Sequence, residues 1–177
     1  MASSVWVLDP THSEVQFKAK HLVISTVTGY FRSFNGKAVV ENEDFTDADI
    51  EFTIDAASID TNQEQRDEHL RSADFFDAEK YPQIKFKSTS FKKVDNDEYT
   101  LTGDLTIKDI TKPITLKVEY GGTATDFYGN LKAGFEVVGK VSRKEYGLLW
   151  NGITETGSIV VGDEIKLVLN VQFAKQA

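Results

Sequence analysis

Residues 99–107 read YTLTGDLTI and residues 114–120 read ITLKVEY. In the first run Tyr99, Leu101, Gly103, Leu105 and Ile107 alternate with Thr100, Thr102, Asp104 and Thr106. In the second, Ile114, Leu116, Val118 and Tyr120 alternate with Thr115, Lys117 and Glu119. A strand turns successive side chains to opposite faces, so this period of two predicts half-buried strands with one dry and one wet face. The same phase recurs in both directions. Toward the N-terminus, Val15, Phe17, Ala19 and His21 oppose Glu14, Gln16, Lys18 and Lys20, and Ile50, Phe52 and Ile54 oppose Glu51, Thr53 and Asp55. Toward the C-terminus, Leu131, Ala133, Phe135 and Val137 leave Lys132 and Glu136 outside. Ile165, Leu167, Leu169, Val171 and Phe173 then oppose Lys166, Asn170 and Gln172. Three further strands are expected near residues 5–8, 28–40 and 84–91.

Turn chemistry separates these runs. Asn35-Gly36, Asp95-Asn96-Asp97, Gly121-Gly122, Tyr128-Gly129-Asn130 and Gly162-Asp163 supply the positive φ or Asx geometry of hairpins. Eight or nine strands joined this way, each with one apolar face, resolve their exposed edges by closing into an all-β, antiparallel barrel. No repeat, linker or low-complexity stretch divides the chain, so residues 1–177 read as a single domain.

One stretch breaks the alternation. From Asp60 to Pro82 the chain is polar and of high helix propensity, then carries Phe75-Phe76 and stops at Tyr81-Pro82. It predicts a short helix and loop over about residues 60–80, with Thr61 or Asn62 as N-cap, covering one end of the barrel.

Composition excludes several functions. The 177 residues hold 20 basic and 28 acidic side chains, a net charge of −8, which leaves no basic face for nucleic acid and disfavours an anionic lipid surface. A chain of this length buries roughly 70% of its unfolded surface, enough for a core without staples. It has no cysteine, which removes disulfides, thiolate metal sites and a Cys nucleophile. The start Met1-Ala2-Ser3-Ser4 offers neither a basic nor an apolar leader region, and no run of about 18 apolar residues occurs. As written the sequence reads as cytoplasmic, or as periplasmic where a leader has been removed.

Candidate chemistry is sparse. Of three histidines, His12 and His21 stand nine apart on an extended stretch, roughly 30 Å, too far to share a metal. Arg66-Asp67-x-His69 invites an acid–base reading in which Asp67 orients His69. No Gly-x-Ser-x-Gly elbow supplies a nucleophile, and no Gly-x-Gly-x-x-Gly or Walker loop supplies a nucleotide site. The plainer reading is a polar cluster that holds the helix over the barrel mouth. The expectation is therefore no catalytic residue, no metal and no cofactor. The aromatic set carries more information. Phe17, Phe31, Phe34, Phe52, Phe75, Phe76, Phe86, Phe135 and Trp150 fall on inward phases or in the plug. An eight-stranded barrel either fills with its own side chains or holds one small ligand. Small inward residues, Ala19, Gly103, Ala133 and Gly139, favour open volume, with all charges outside.

These motifs occur together in a recognisable order. Trp6-Val7-Leu8-Asp9 precedes His12-Ser13, Val15, Phe17 and His21-Leu22, and Gly29-x-Phe31 leads to Phe34-x-Gly36. Ser58-Ile59-Asp60-Thr61 joins Arg66-Asp67-x-His69-Leu70-Arg71-Ser72, Asp74-Phe75-Phe76-Asp77 and Lys80-Tyr81-Pro82-x-Ile84-x-Phe86. Gly103-Asp104-Leu105-Thr106-Ile107, Ile110-Thr111-Lys112-Pro113, Ser142-Arg143-x-x-Tyr146-Gly147-Leu148-x-Trp150 and Val161-Gly162-Asp163 complete the set. From Trp6 to Phe173 the chain resembles the YceI-like family of lipocalin-like, polyisoprenoid-binding proteins.

The resemblance implies an extended lipocalin-like barrel with an apolar tunnel for an isoprenoid quinone or another long lipid such as a fatty acyl chain. It also implies pairing into homodimers and roles in transport and stress response, with no catalytic residue to carry over. Strand phase and motif position together give a tunnel lined by Phe17, His21, Phe31, Phe34, Phe75, Phe76, Phe86, Leu105, Ile107, Leu116, Phe135 and Trp150. Arg66, Asp67 and His69 form its polar end or plug. The functions left open are a lipid carrier, store or buffer, an enzyme using Arg66, Asp67 and His69 on an apolar substrate, and a scaffold with a filled core.

Overall fold

The structure is a computed structural model that describes residues 3–21, 24–41, 45–148 and 161–176. Among these residues eleven strands follow one another: β1 (Ser4–Leu8), β2 (Glu14–His21), β3 (Ser25–Phe31), β4 (Phe34–Val40), β5 (Asp49–Asp55), β6 (Ile59–Asp60), β7 (Gln83–Lys93), β8 (Glu98–Ile107), β9 (Ile110–Thr125), β10 (Leu131–Ser142) and β11 (Val161–Lys175). One helix, α1 (Glu64–Arg71), sits between β6 and β7. Every pairing is antiparallel.

Eight strands form a ring in the order β1-β4-β5-β7-β8-β9-β10-β11, closed by β1 on β11. The closure depends on the length of β11. One edge of this strand pairs with β10 almost throughout. Its other edge takes two partners in succession, β2 along Val161–Asn170 and β1 along Phe173–Lys175. Strands β1 and β2 thus act as one wall strand, interrupted by a one-turn 3-10 helix at Pro10–His12. Beyond the interruption β3 adds to β2, and the short β6 adds to β3 through Tyr30–Asp60 and Phe31–Ile59. Among the described residues the ladder stops at β6 at that end, and α1 packs there.

The alternation read from the sequence is the alternation of burial. Along β8, Tyr99, Leu101, Gly103, Leu105 and Ile107 are buried while their neighbours are not. The interior divides into two apolar clusters. One gathers Trp6, Phe45, Phe91, Tyr99 and Phe173 near the β1–β11 closure, and the other gathers Phe31, Ile59, Phe75, Ile107 and Tyr146 near α1. Phe52, Phe86, Leu167 and Leu169 bridge them. Among the described residues no helix is long and apolar enough to cross a membrane.

Three turn assignments need correction. Asp95-Asn96-Asp97 and Tyr128-Gly129-Asn130 do lie between strands. Asn35-Gly36 lies inside β4 opposite Thr53 and Phe52, because the Phe52 ring rests where a Cβ of residue 36 would stand. Gly121-Gly122 lies inside β9, at a bulge opposite Gly134 and Phe135 where Gly122 takes φ 99°. Gly162-Asp163 belongs to β11. The β8–β9 turn is instead Lys108-Asp109, with Lys108 at φ 59°. The helix cap also differs. Gln63, and neither Thr61 nor Asn62, caps α1, its Oε1 accepting from the Arg66 N–H at 2.6 Å.

Where β1 gives way to the 3-10 turn, Asp9 is the joint. Its carboxylate caps the turn by accepting from the Thr11 N–H at 3.1 Å. It also pairs with Lys132 of β10 and accepts from the Thr11 hydroxyl at 2.7 Å. Lys132 and Thr11 hold the Asp9 carboxyl far below the ordinary carboxylate range. A lowered folded-state pKa stabilises the fold above the unfolded value of 3.8, and that contribution is lost as pH falls below it. We therefore expect Asp9→Asn to destabilise the protein by about 1–3 kcal/mol at neutral pH, since Lys132 is left partly buried without its carboxylate. Urea unfolding of the pair should show a constant gap at neutral pH that narrows below pH 3.8. A gap that stays constant into acid would assign Asp9 a purely steric role.

Candidate functional site

The barrel is not filled. Its interior holds a cavity of about 220 Å³. One water needs roughly 10–15 Å³ on the same scale, and packed cores rarely hold voids larger than that. Along β11 the wall runs from Ile165 to Phe173, about 26 Å of strand, or roughly 20 Å along an axis tilted by about 40°. The cavity is long and narrow. Among the described residues that line it, only Gln16 and Arg143 have side chains outside the apolar and aromatic classes.

Apolar groups stand at both ends. Near the β1–β11 closure, Phe45 sits against Trp6, Tyr120 and Phe135 with ring centroids 5.1, 5.5 and 5.4 Å away. At the other end Leu70, Phe75 and Phe76 reach the cavity from α1 and the loop after it. Phe76 meets Phe31 edge to face at 5.8 Å.

The structure places the expected tunnel residues as follows. Phe17, Phe31, Phe75, Phe76, Phe86, Leu105, Ile107, Leu116 and Phe135 all line the cavity. Phe34 is a correction. It follows the Arg32–Ser33 corner and stacks on Phe52 at 6.1 Å, so Phe52 takes the wall position and Phe34 lies behind it. His21 ends β2 opposite Ser25, and its side chain lies outside the described residues, as does Trp150. Phe45 is one of the wall residues the alternation could not find. It lies in an acidic loop between strands and takes φ 66°.

Glycines shape this wall in a way that corrects the sequence reading. Gly103 and Gly139 do not leave open space. A Cβ at Gly103 would stand 2.5 Å from the Phe86 ring, one at Gly139 2.1 Å from Leu116, and one at Gly29 2.2 Å from the Phe17 ring. Each glycine is a seat on which a neighbouring side chain lies flat against the sheet. The lumen stays open because these large groups are laid along the wall. Ala19 does line the cavity, whereas Ala133 is wholly buried away from it.

The polar cluster is assembled differently from the acid–base reading. Asp67 is buried, and its Oδ1 accepts from the Thr61 N–H at 2.8 Å and the Thr61 hydroxyl at 2.5 Å. Arg66 donates through Nε to Thr61 Oγ1 at 2.7 Å and through a terminal nitrogen to the Thr61 carbonyl at 2.6 Å. His69 Nε2 instead pairs with Asp74 at 2.9 Å. Asp67 therefore does not orient His69, and none of Arg66, Asp67 and His69 lines the cavity. Together they tie the entry of α1 and the following loop.

The expectation that every charge sits outside fails at Asp67 and at Arg143. Arg143 is 2% exposed and forms part of the wall, with Nε donating to the Gly162 carbonyl at 2.9 Å and a terminal nitrogen to the Leu148 carbonyl at 2.5 Å. Burial lowers its pKa, partly offset by Asp163. Its motif neighbour Tyr146 is also buried, and its phenol is pushed up to about 12, chiefly by burial, which keeps it protonated. Among the described residues no group of His, Asp and Glu is placed to hold a metal.

The comparisons with known proteins bear on this barrel as a whole. The family model described as YceI-like domain matches residues 6–173. Protein YceI of Escherichia coli O157:H7 is 39% identical over 165 residues, covering 93% of this chain and 83% of that one. The crystal structure of Burkholderia cenocepacia BcnA superposes with a TM-score of 0.81 at 23% identity, over 93% of this chain and 98% of that one. A polyisoprenoid binding domain from Saccharophagus degradans superposes with a TM-score of 0.72 at 14% identity, over 99% of both chains. At these identities the two structures show the fold alone.

Two outcomes follow from this geometry. Asp67→Ala strands the Thr61 N–H, and should lower stability by about 1–3 kcal/mol in urea unfolding while leaving affinity for an apolar probe within the lumen unchanged. Gly29→Ala should act the other way. The new methyl displaces the Phe17 ring from its seat into the lumen, so binding of a lumen probe such as a naphthalene-sulfonate dye should fall while the barrel still folds.

Proposed function

Because the chain belongs to the YceI-like family, we propose that its barrel binds one long apolar lipid, a polyprenyl chain, isoprenoid quinone or fatty acyl chain, and carries or stores it without transforming it. The observation that supports this reading most is the long, narrow, unfilled cavity walled by Phe and aliphatic side chains. A lipid of that shape can be held without a strong polar anchor. Burying a methylene contributes about 0.8 kcal/mol, so a five-carbon isoprene unit contributes at most about 4 kcal/mol. Association costs about 4–15 kcal/mol, so a few units suffice for tight binding. The Saccharophagus degradans domain of the same fold is described as polyisoprenoid binding, which agrees with a prenyl chain as occupant.

Placement supports the reading without turnover. The acid–base candidate His69 is engaged by Asp74 beside the plug and is not on the cavity wall. Tyr146, buried and held protonated, is no base at neutral pH. Incubating the purified protein with a prenyl quinone or a fatty acid and analysing the extract tests the proposal. Recovery of unchanged lipid at about one per chain is expected. A product that accumulates with time and disappears in His69→Ala would replace the carrier by an enzyme, and failure to retain any chain would remove lipid binding altogether.

A further inference from the structure

The β9–β10 hairpin ends in Asp126-Phe127-Tyr128-Gly129-Asn130, and this tip is built to show two aromatic rings to solvent. Phe127 is 105% exposed and Tyr128 89% exposed. The turn is tied by its own hydrogen bonds. Asp126 accepts from the Tyr128 and Asn130 N–H groups, each at 2.9 Å, and donates its own N–H to the Asn130 carbonyl at 2.9 Å. Gly129 closes the turn at φ 81° and donates to the Asp126 carbonyl at 3.2 Å. The carboxylate is thereby turned into its own loop, with Lys132 at 3.8 Å.

The surroundings of the tip are unlike the rest of the chain. Residues 121–131 read GGTATDFYGNL, with Asp126 the single charge in eleven positions. At the chain's 27% charged residues about three would be expected. The β7–β8 turn at the same end of the barrel adds Val94, 62% exposed, and β10 begins with the half-open Leu131. These features lie beside the end capped by Phe45, Trp6 and Phe135.

We propose that this hairpin tip docks the protein on the surface of an electrically neutral, zwitterionic lipid bilayer, with Phe127 and Tyr128 entering the headgroup region. Area favours a bilayer over a protein partner. Two aromatic side chains bury about 300–500 Å², less than the roughly 800 Å² per partner of a stable protein interface. A bilayer needs no complementary shape, and aromatic rings settle at its headgroup level. Charge decides the kind of bilayer. A protein of net charge −8 is repelled by anionic lipid, and the tip brings no basic cluster to offset that. Docking stands on the tip alone. Its use, to place the barrel where prenyl or acyl lipids reside, rests on the proposed function.

Flotation with phosphatidylcholine vesicles that contain no prenyl lipid or fatty acid tests it. The wild-type chain should float, and adding phosphatidylglycerol should not increase the bound fraction. Phe127→Ser with Tyr128→Ser should reduce partition at least about fivefold, with the melting temperature and lumen affinity unchanged. Tyr128→Trp should shift its emission to the blue on vesicles. Gly29→Ala, which alters only the lumen, should float like wild type, so loss of lipid binding and loss of docking read out separately. A wild type that stays in the soluble fraction, or a double Ser variant that floats equally well, overturns the proposal. So does self-association that the double variant abolishes, since the tip would then be covered by a second copy of the chain.

Discussion

Ring closure by β11 is the constraint on which the rest depends. Fifteen residues long, it gives one edge to β10 and divides the other between β1 and β2. A closed ladder satisfies its backbone hydrogen bonds along the wall, and therefore does not need a filled interior to hold its shape. That releases the lumen from the packing demand that governs an ordinary core. The release has a size. At about 24 cal/mol per Å³, not filling 220 Å³ with its own side chains forgoes about 5 kcal/mol of packing, a substantial part of the stability of a typical domain. A chain under selection for stability alone would have filled it. The glycine seats point the same way, since Gly29, Gly103 and Gly139 lay Phe17, Phe86 and Leu116 along the wall when a larger residue would push them inward.

Much of this was legible in the sequence because alternation is a local signal. The buried set of β8 can be read directly from YTLTGDLTI, and the inward phases named most of the cavity wall. What stayed hidden depends on register. Nothing in residues 29 or 103 says which ring lies across from them until Phe17 is paired with Gly29, and Ser88 with Gly103. The same ignorance made Gly36, Gly121 and Gly162 look like turns, since a glycine serving close approach and a glycine serving positive φ are identical letters. Phe45 escaped because its loop has no period at all, and Phe34 misled because its phase was inward while Phe52 occupied the wall.

The polar motif that also admits an acid–base reading has a physical reason to cluster where it does. At the α1 end the ladder of the described residues stops at β6, and the chain on either side of α1 and around residues 143–148 is irregular. Buried irregular backbone must find its hydrogen bonds among side chains. Asp67 and Arg66 meet that demand for Thr61, and Arg143 meets it for the carbonyls of Leu148 and Gly162. A carboxylate, a guanidinium and an imidazole close in sequence are the ingredients of an acid–base site and equally of a stapled plug. Direction separates the two. A catalytic group would aim at the lumen, whereas the Asp67 and Arg66 bonds are aimed at the backbone and hydroxyl of Thr61, leaving Leu70, Phe75 and Phe76 to face the cavity. The densest motif of the chain therefore marks the barrel end at which the β2-β3-β6 ladder gives way to α1.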